Sequence, residues 1–256
     1  MRYAVDGRGV ATVALYRPEV RNAFNERMIA ELSEVFSQVS GDPGMRAAVL
    51  RGEGRSFCAG ADTKWLRQSV TFGEERNLSD ARAMAAMYEA IDRCAVPVIG
   101  LVHSGAFGGA CGLAAVCDVV VAASDAVFGL TEVRLGIIPA VISAPVVRKI
   151  GLAAARRYFL TGERFDADTA LRLGLVNEVV AESQLGSVAE RIVGEILRSG
   201  PRAVRACKAH LHLISQLSYG EALEQSAAVI AGLRVTPEAQ EGLTAFLEKR
   251  RPSWID

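Results

Sequence analysis

The sequence has no charge of one sign to spare. Its 29 Lys and Arg are matched by 29 Asp and Glu, so the formal net charge is zero. A nucleic-acid binder carries a basic balance, and none is present, so no nucleic-acid partner is expected. Long apolar runs are also missing. The richest stretch is broken by Asp118 and Asp125, which excludes a membrane-spanning helix and a membrane partner. Residues 1–7 have no apolar segment after Arg2, so no signal peptide is expected and the reading is cytoplasmic. Histidine is scarce: His103, His210 and His212 do not cluster with the cysteines. The five cysteines (Cys58, Cys94, Cys111, Cys117 and Cys207) have irregular spacing and form no CxxC pair. They read as reduced, mostly buried thiols, with no metal site. GxGxxG, the P-loop and the GxSxG elbow are absent.

What is there is half hydrophobic and long enough, at 256 residues, to bury a large core. β-Branched runs at 10–15, 47–52, 96–102, 119–123 and 176–180 read as strands. Asn25 opens a helix with Met28, Ile29, Leu32, Val35, Phe36 and Val39 on one face. Strands separated by helical stretches argue an α/β fold with a mainly parallel sheet. Strand signals stop near residue 182. Helical stretches follow near 182–198, 201–213, 219–232 and 236–250. The expected organisation is a core over 1–181 and a helical subdomain over 182–256 that packs on a neighbour. Arg202, Arg205 and Lys208, at a spacing of three, read as a solvated helix face.

Three segments carry candidate chemistry. In GEGRSFCAGAD (52–62), small residues after a buried strand let the backbone approach a ligand, or simply make a turn. In GAFGGACGL (105–113), a small-residue cluster runs from a strand into a helix, whose first N–H groups favour an anion. Two such donors converging on one oxygen would make an oxyanion hole, and one without a nucleophile suits enolate chemistry. In AVFGLTEVRLGIIP (126–139), Glu132 sits in an apolar, glycine-punctuated setting. That setting raises a carboxyl pKa and suits proton transfer, unless Glu132 pairs with Arg134 on a surface loop.

Together these segments resemble the enoyl-CoA hydratase/isomerase (crotonase) family over nearly the whole chain. The resemblance rests on RPEVRNAFN (17–25), SFCAGAD (56–62), Gly108-Gly109 followed by Cys117-Asp118, FGLTEVRLGIIP (128–139), LTGERFDA (160–167) and ALRLGLV (170–176). It implies a ββα-spiral core, a C-terminal helical trimerisation subdomain, and homotrimers or dimers of trimers. It also implies an acyl-CoA or acyl-carrier thioester substrate, with no cofactor beyond the coenzyme A that the substrate carries. By the resemblance, the N–H groups of Ala61 and Gly109 hold the thioester oxygen beside Gly108. The backbone near Asn22, Ala23, Phe57, Ala59, Gly60 and Asp62 contacts the adenine and pantetheine. Phe246 and Lys249 match positions that reach a nucleotide bound to a neighbour.

The chain departs from the family pattern at one catalytic position. Hydratases of the family carry two Glu; here the second is Glu132 and Gly112 stands at the first. The usual PGGGGTQ stretch is PAVISAPVV (139–147). One carboxylate can move a proton between carbons, as in Δ3,Δ2-enoyl-CoA isomerases, or activate water and return its proton in a syn addition. A decarboxylase and a catalytically silent acyl-CoA-binding scaffold are further readings. The stretches ADTKWL (61–66), IPAVIS (138–143) and RRYFLTGERFDA (156–167) are similar to the bacterial methylglutaconyl-CoA and isohexenylglutaconyl-CoA hydratase branch, which favours hydration. Those substrates carry a second carboxylate, for which Lys64, Arg67 or Arg82 is the candidate cation. Trp65, Leu66, Val70, Phe72, Met84, Met87 and Tyr88 are the candidate acyl-pocket lining or core.

Overall fold

The computed structural model describes residues 1–255. Strands β1 (Arg2–Val5), β2 (Val10–Leu15), β3 (Ala47–Gly52), β4 (Val98–Val102), β5 (Gly105–Phe107), β6 (Val119–Ala123), β7 (Val127–Gly129), β8 (Arg164–Asp166) and β9 (Glu178–Val180) form two sheets. The larger has the order β1-β2-β3-β4-β6-β9 and the smaller β5-β7-β8. In the large sheet β1 is antiparallel to β2, and every pair from β2 to β9 is parallel. The parallel sheet expected from the sequence is therefore present.

From β2 to β6 both faces of this sheet are buried, which is why those strands are almost continuously apolar. Alternation along each strand divides the residues between two cores. Ala48 and Leu50 of β3 and Val120 and Ala122 of β6 face the main core. Ala47, Val49, Val121 and Ala123 face a second, smaller one. Helix α1 (Glu26–Gly41) covers the main core with Met28, Ile29, Leu32, Phe36 and Val39. Its start is fixed by Asn25, whose side chain accepts from the Met28 N–H at 3.0 Å, an N-cap worth about 1 kcal/mol. Helices α2 (Thr63–Ser69), α3 (Glu74–Asp92), α4 (Gly109–Val116), α5 (Ala140–Thr161) and α6 (Ala167–Arg172) complete that side.

Helices α7 (Leu185–Leu197), α8 (Pro201–Ile214), α9 (Tyr219–Arg234) and α10 (Pro237–Leu247) follow the last strand, close to the helical stretches read from the sequence. α7 lays Leu185, Ala189 and Val193 on the second face of the sheet, at the i, i+4, i+8 spacing of one helical stripe. α8 corrects an expectation. Arg205 and Lys208 do not lie on a solvated face. The Arg205 guanidinium donates to the carbonyls of Ser40, Asp42 and Met45. Lys208 is buried; its Nζ donates to Asp118 Oδ2 at 2.6 Å and to the Val96 carbonyl at 3.1 Å. The reason is that this side of α8 faces the loop before β3 and the start of β6, so the two basic side chains reach backbone carbonyls and Asp118 instead of solvent. Among the described residues, no helix is long and apolar enough to cross a membrane.

Candidate active site

The first segment leaves β3 and turns beneath the 17–25 loop. Asn22 is buried in the left-handed region (φ 57°), which Asn tolerates better than most residues. Its side chain accepts from the Arg17 N–H and donates to the carbonyls of Glu53 and Ser56, each at 2.8 Å. That clamp holds the two loops together, with Ala23 buried beside it. The Ala59 N–H donates to the Arg21 carbonyl at 2.9 Å, and the Phe57 N–H to the His103 carbonyl at 3.1 Å. Gly60 has φ 90°, and a β-carbon there would stand 2.8 Å from the Phe107 carbonyl oxygen, so the turn needs glycine. Asp62 caps α2 by accepting from the Lys64 N–H at 2.7 Å, and it pairs with Arg17 at 2.6 Å. Burial works to raise its carboxyl pKa, but the Lys64 N–H and the Arg17 guanidinium hold it below the usual value. Both of its oxygens are thereby occupied within the protein.

The second segment runs from β5 into α4. Gly108 has φ 54°, and its N–H donates to the Gly129 carbonyl at 2.8 Å. Gly109 then opens α4, and the Tyr88 hydroxyl donates to the Gly109 carbonyl at 2.8 Å. Among the described residues, the N–H groups of Ala61 and Gly109 have no acceptor within the chain, although those of Phe24, Asp62 and Gly108 around them do.

The third segment brings Glu132 to the same place, in a short 3-10 turn over Glu132–Leu135. A β-carbon on Gly108 would lie 2.9 Å from Glu132 Oε1, so the absence of a side chain at 108 admits the carboxylate. Glu132 Oε2 is buried and has no hydrogen-bond partner. Burial raises the Glu132 pKa above its usual 4.5, an effect only partly offset by its own backbone N–H. Glu132 does not turn out to Arg134 on the surface, since its Oε2 is buried without a partner.

A cavity of about 290 Å³ joins the three segments; Ala61, Gly109 and Glu132 all border it. Trp65, Leu66 and Met84 of the expected pocket residues line its walls, together with residues 137–142. The others do not. Met87 is fully buried in the core, Tyr88 lies behind Gly109, Val70 is exposed, and Phe72 sits under the Arg76 guanidinium. Gly112 is buried within α4. A β-carbon there would meet Ile142 and the Tyr88 ring. Lys64, Arg67 and Arg82 are exposed and outside the cavity lining. Phe246 and Lys249 are exposed near the end of α10, also away from the cavity of their own chain.

Sequence reading missed Asp80, Asn77 and Ile142 as cavity residues. Asp80 and Asn77 stand on a helix whose polar residues look like any solvated face. Only the unusual 139–147 stretch signalled Ile142. A larger cavity, about 400 Å³, lies under α8 between Asp92, Asp118, Lys149 and Lys208, and none of the three segments reaches it. Burial pushes the thiols of Cys58, Cys111 and Cys117 up to about 12, which leaves them inert near neutral pH. Among the described residues, no three His, Cys, Asp or Glu side chains gather to hold a metal ion.

The sequence model described as enoyl-CoA hydratase/isomerase matches residues 6–256. The crotonyl-CoA hydratase of Syntrophomonas wolfei is 34% identical over 252 residues, covering 96% of this chain and 94% of that protein. The crystal structure of an enoyl-CoA hydratase from Shewanella pealeana superposes with a TM-score of 0.94 at 38% identity, covering 98% of this chain and 94% of that one. That of an enoyl-CoA hydratase from Mycobacterium smegmatis reaches 0.95 at 35% identity, covering 100% and 98%.

Proposed function

The chain belongs to the enoyl-CoA hydratase/isomerase family, with the crotonase α/β fold, and from that premise we propose that it adds water to an α,β-unsaturated acyl-CoA. One observation carries the reading. Two backbone N–H groups without acceptors and one carboxylate oxygen without a partner border a single cavity.

In this reading the thioester oxygen lies between the N–H groups of Ala61 and Gly109. Glu132, as carboxylate, takes a proton from water while the hydroxide adds to the β-carbon. Electrons move onto the thioester oxygen as an enolate. The two N–H donors and the start of α4 stabilise that charge; a donor of this kind is worth about 10²–10³ in rate. The protonated Glu132 then gives its proton to the α-carbon. One group serves both transfers, so both additions fall on the same face. The raised Glu132 pKa supports this role, since it brings the acid and base forms closer in energy near neutral pH.

The filled space around Gly112 favours a second reading. A lone carboxylate is enough for a Δ3,Δ2-enoyl-CoA isomerase. A silent scaffold has less support, because it would have no use for a buried, unpartnered carboxylate. A methylglutaconyl-type substrate is the finer proposal from the sequence; its candidate cations, Lys64, Arg67 and Arg82, lend it no support from within the cavity. The proposal includes a homotrimer or dimer of trimers in the cytoplasm. Exposed Tyr219, Phe246 and Leu247 in the C-terminal helices, with Val235 between α9 and α10, support assembly through that region.

Ultraviolet absorbance of enoyl-CoA substrates tests the function. Hydration removes the enoyl band, and that loss is expected. Appearance of the band from 3-enoyl substrates, with no loss from 2-enoyl ones, would assign the isomerase instead.

A further inference from the structure

Glu132 is not alone in leaving a polar atom unpaired at this cavity. Trp65 Nε1 and Asp80 Oδ2 are also buried without a hydrogen-bond partner, and both residues line the same cavity. Buried polar groups in folded proteins are nearly always paired, so two orphans in residues that border one cavity need an explanation. The catalytic scheme above uses neither of them. The indole N–H can only donate, and an ionised carboxylate can only accept.

We propose that Trp65 and Asp80 form a polar subsite that selects an acyl group carrying a neutral hydroxyl. This deepens the acyl-CoA reading of the cavity and rests on it. A hydroxyl matches the pair: its O–H donates to Asp80 Oδ2, and its oxygen accepts from Trp65 Nε1. A plain hydrocarbon leaves both groups buried and unpaired, the situation that lets a polar site reject an analogue lacking the hydroxyl. A second carboxylate fits poorly, because it would meet the negative charge of Asp80 and Glu132. The cation that partners Asp80 is Arg76, whose Nε lies 3.2 Å from Oδ1. Arg76 does not line this cavity; it borders the neighbouring groove, which Trp65 and Asp80 also edge, and there it pairs with Glu26. A cationic acyl group would satisfy Asp80 but face the positive edge of the indole N–H.

Binding of saturated acyl-CoA thioesters tests this, because they bind without reacting. Isothermal titration would compare an ω-hydroxyacyl-CoA with the alkyl-CoA and ω-carboxyacyl-CoA of matched chain lengths. The wild-type protein is expected to bind the hydroxyacyl-CoA at least about 10-fold more tightly than either. The preference over alkyl-CoA should shrink to near unity in Asp80→Ala and in Trp65→Phe. In Asp80→Asn, which keeps the shape and an acceptor, it should be intermediate. Unchanged circular-dichroism spectra report that the Asp80 and Trp65 variants fold. Equal or tighter alkyl-CoA or carboxyacyl-CoA binding by the wild type overturns the proposal, as does a preference that survives both Asp80→Ala and Trp65→Phe. The two readings fail separately. Hydration without a hydroxyl preference sinks the subsite alone, and a hydroxyl preference without hydration sinks the hydratase alone. Absence of any acyl-CoA binding sinks both.

Discussion

Ile142 stands where a side chain at Gly112 would go. A β-carbon on Gly112 would lie 3.0 Å from Ile142 Cβ and 3.0 Å from Tyr88 Cε1, with the Ile142 Cγ2 methyl closer still. The first carboxylate of the family pattern is thus not merely missing from the sequence. Its place is filled by packing, and the proposed hydration assigns the chemistry to Glu132.

Gly112→Glu is therefore expected to damage the protein instead of restoring a second acid. Overpacking of this kind costs about 1–3 kcal/mol, and a buried carboxylate adds to it. Thermal denaturation should show a lowered Tm. Ile142→Ala in the same chain should recover part of the loss by opening the space. A Gly112→Glu protein with unchanged Tm would contradict the packing account.

Glu132→Gln keeps the shape but cannot exchange a proton. Turnover of enoyl-CoA should fall by at least about 10²–10⁴, the usual worth of a general acid–base group. Acyl-CoA affinity, read by titration calorimetry, should change little. Retained turnover would remove Glu132 from the mechanism.

The same residue makes a prediction about stability. Burial raises its pKa in the folded state above the usual 4.5, so folding favours the protonated form. Its contribution to stability is full below the unfolded value and is lost as pH rises through the folded one. Ionised Glu132 therefore weakens the fold near neutral pH. Glu132→Gln should raise Tm at about pH 7, and the gain should fade at about pH 4. A Tm difference that does not vary with pH would contradict the sign. In the wild type, kcat/KM should fall on the acid side with an apparent pKa above the ordinary glutamate value.

Tyr88→Phe removes the hydroxyl that donates to the Gly109 carbonyl. A lost hydrogen bond of this kind costs about 0.5–1.5 kcal/mol. Because Gly109 also supplies a cavity N–H, kcat should fall more than KM changes. An effect on Tm with no effect on kcat would limit Tyr88 to packing.

Much of the fold was legible in the sequence because parallel strands buried on both faces leave unbroken β-branched runs. β2, β3 and β6 match those runs, as does the Asn25-capped helix. The three-residue strands β5, β7 and β8 were not legible: they are too short for a period and are set by pairing with distant partners. The three site segments stood out through their resemblance to family motifs; taken alone, each reads equally as a turn, a glycine cluster or a surface loop. Lys208 was misread because its helical spacing of three from Arg205 says nothing about which side packs; its partner, Asp118, is 90 residues away. Asp80 was missed for the same reason, since a single acid on a polar helix carries no mark of burial.

A single carboxylate that performs both proton transfers of a hydration leaves a stereochemical record in the product. The most direct measurement is hydration of an enoyl-CoA in D₂O, with the product's configuration at the α- and β-carbons read by NMR. One deuterium at the α-carbon, on the same face as the new β-hydroxyl, is expected. Anti addition, or a substrate that gains no water, would contradict it.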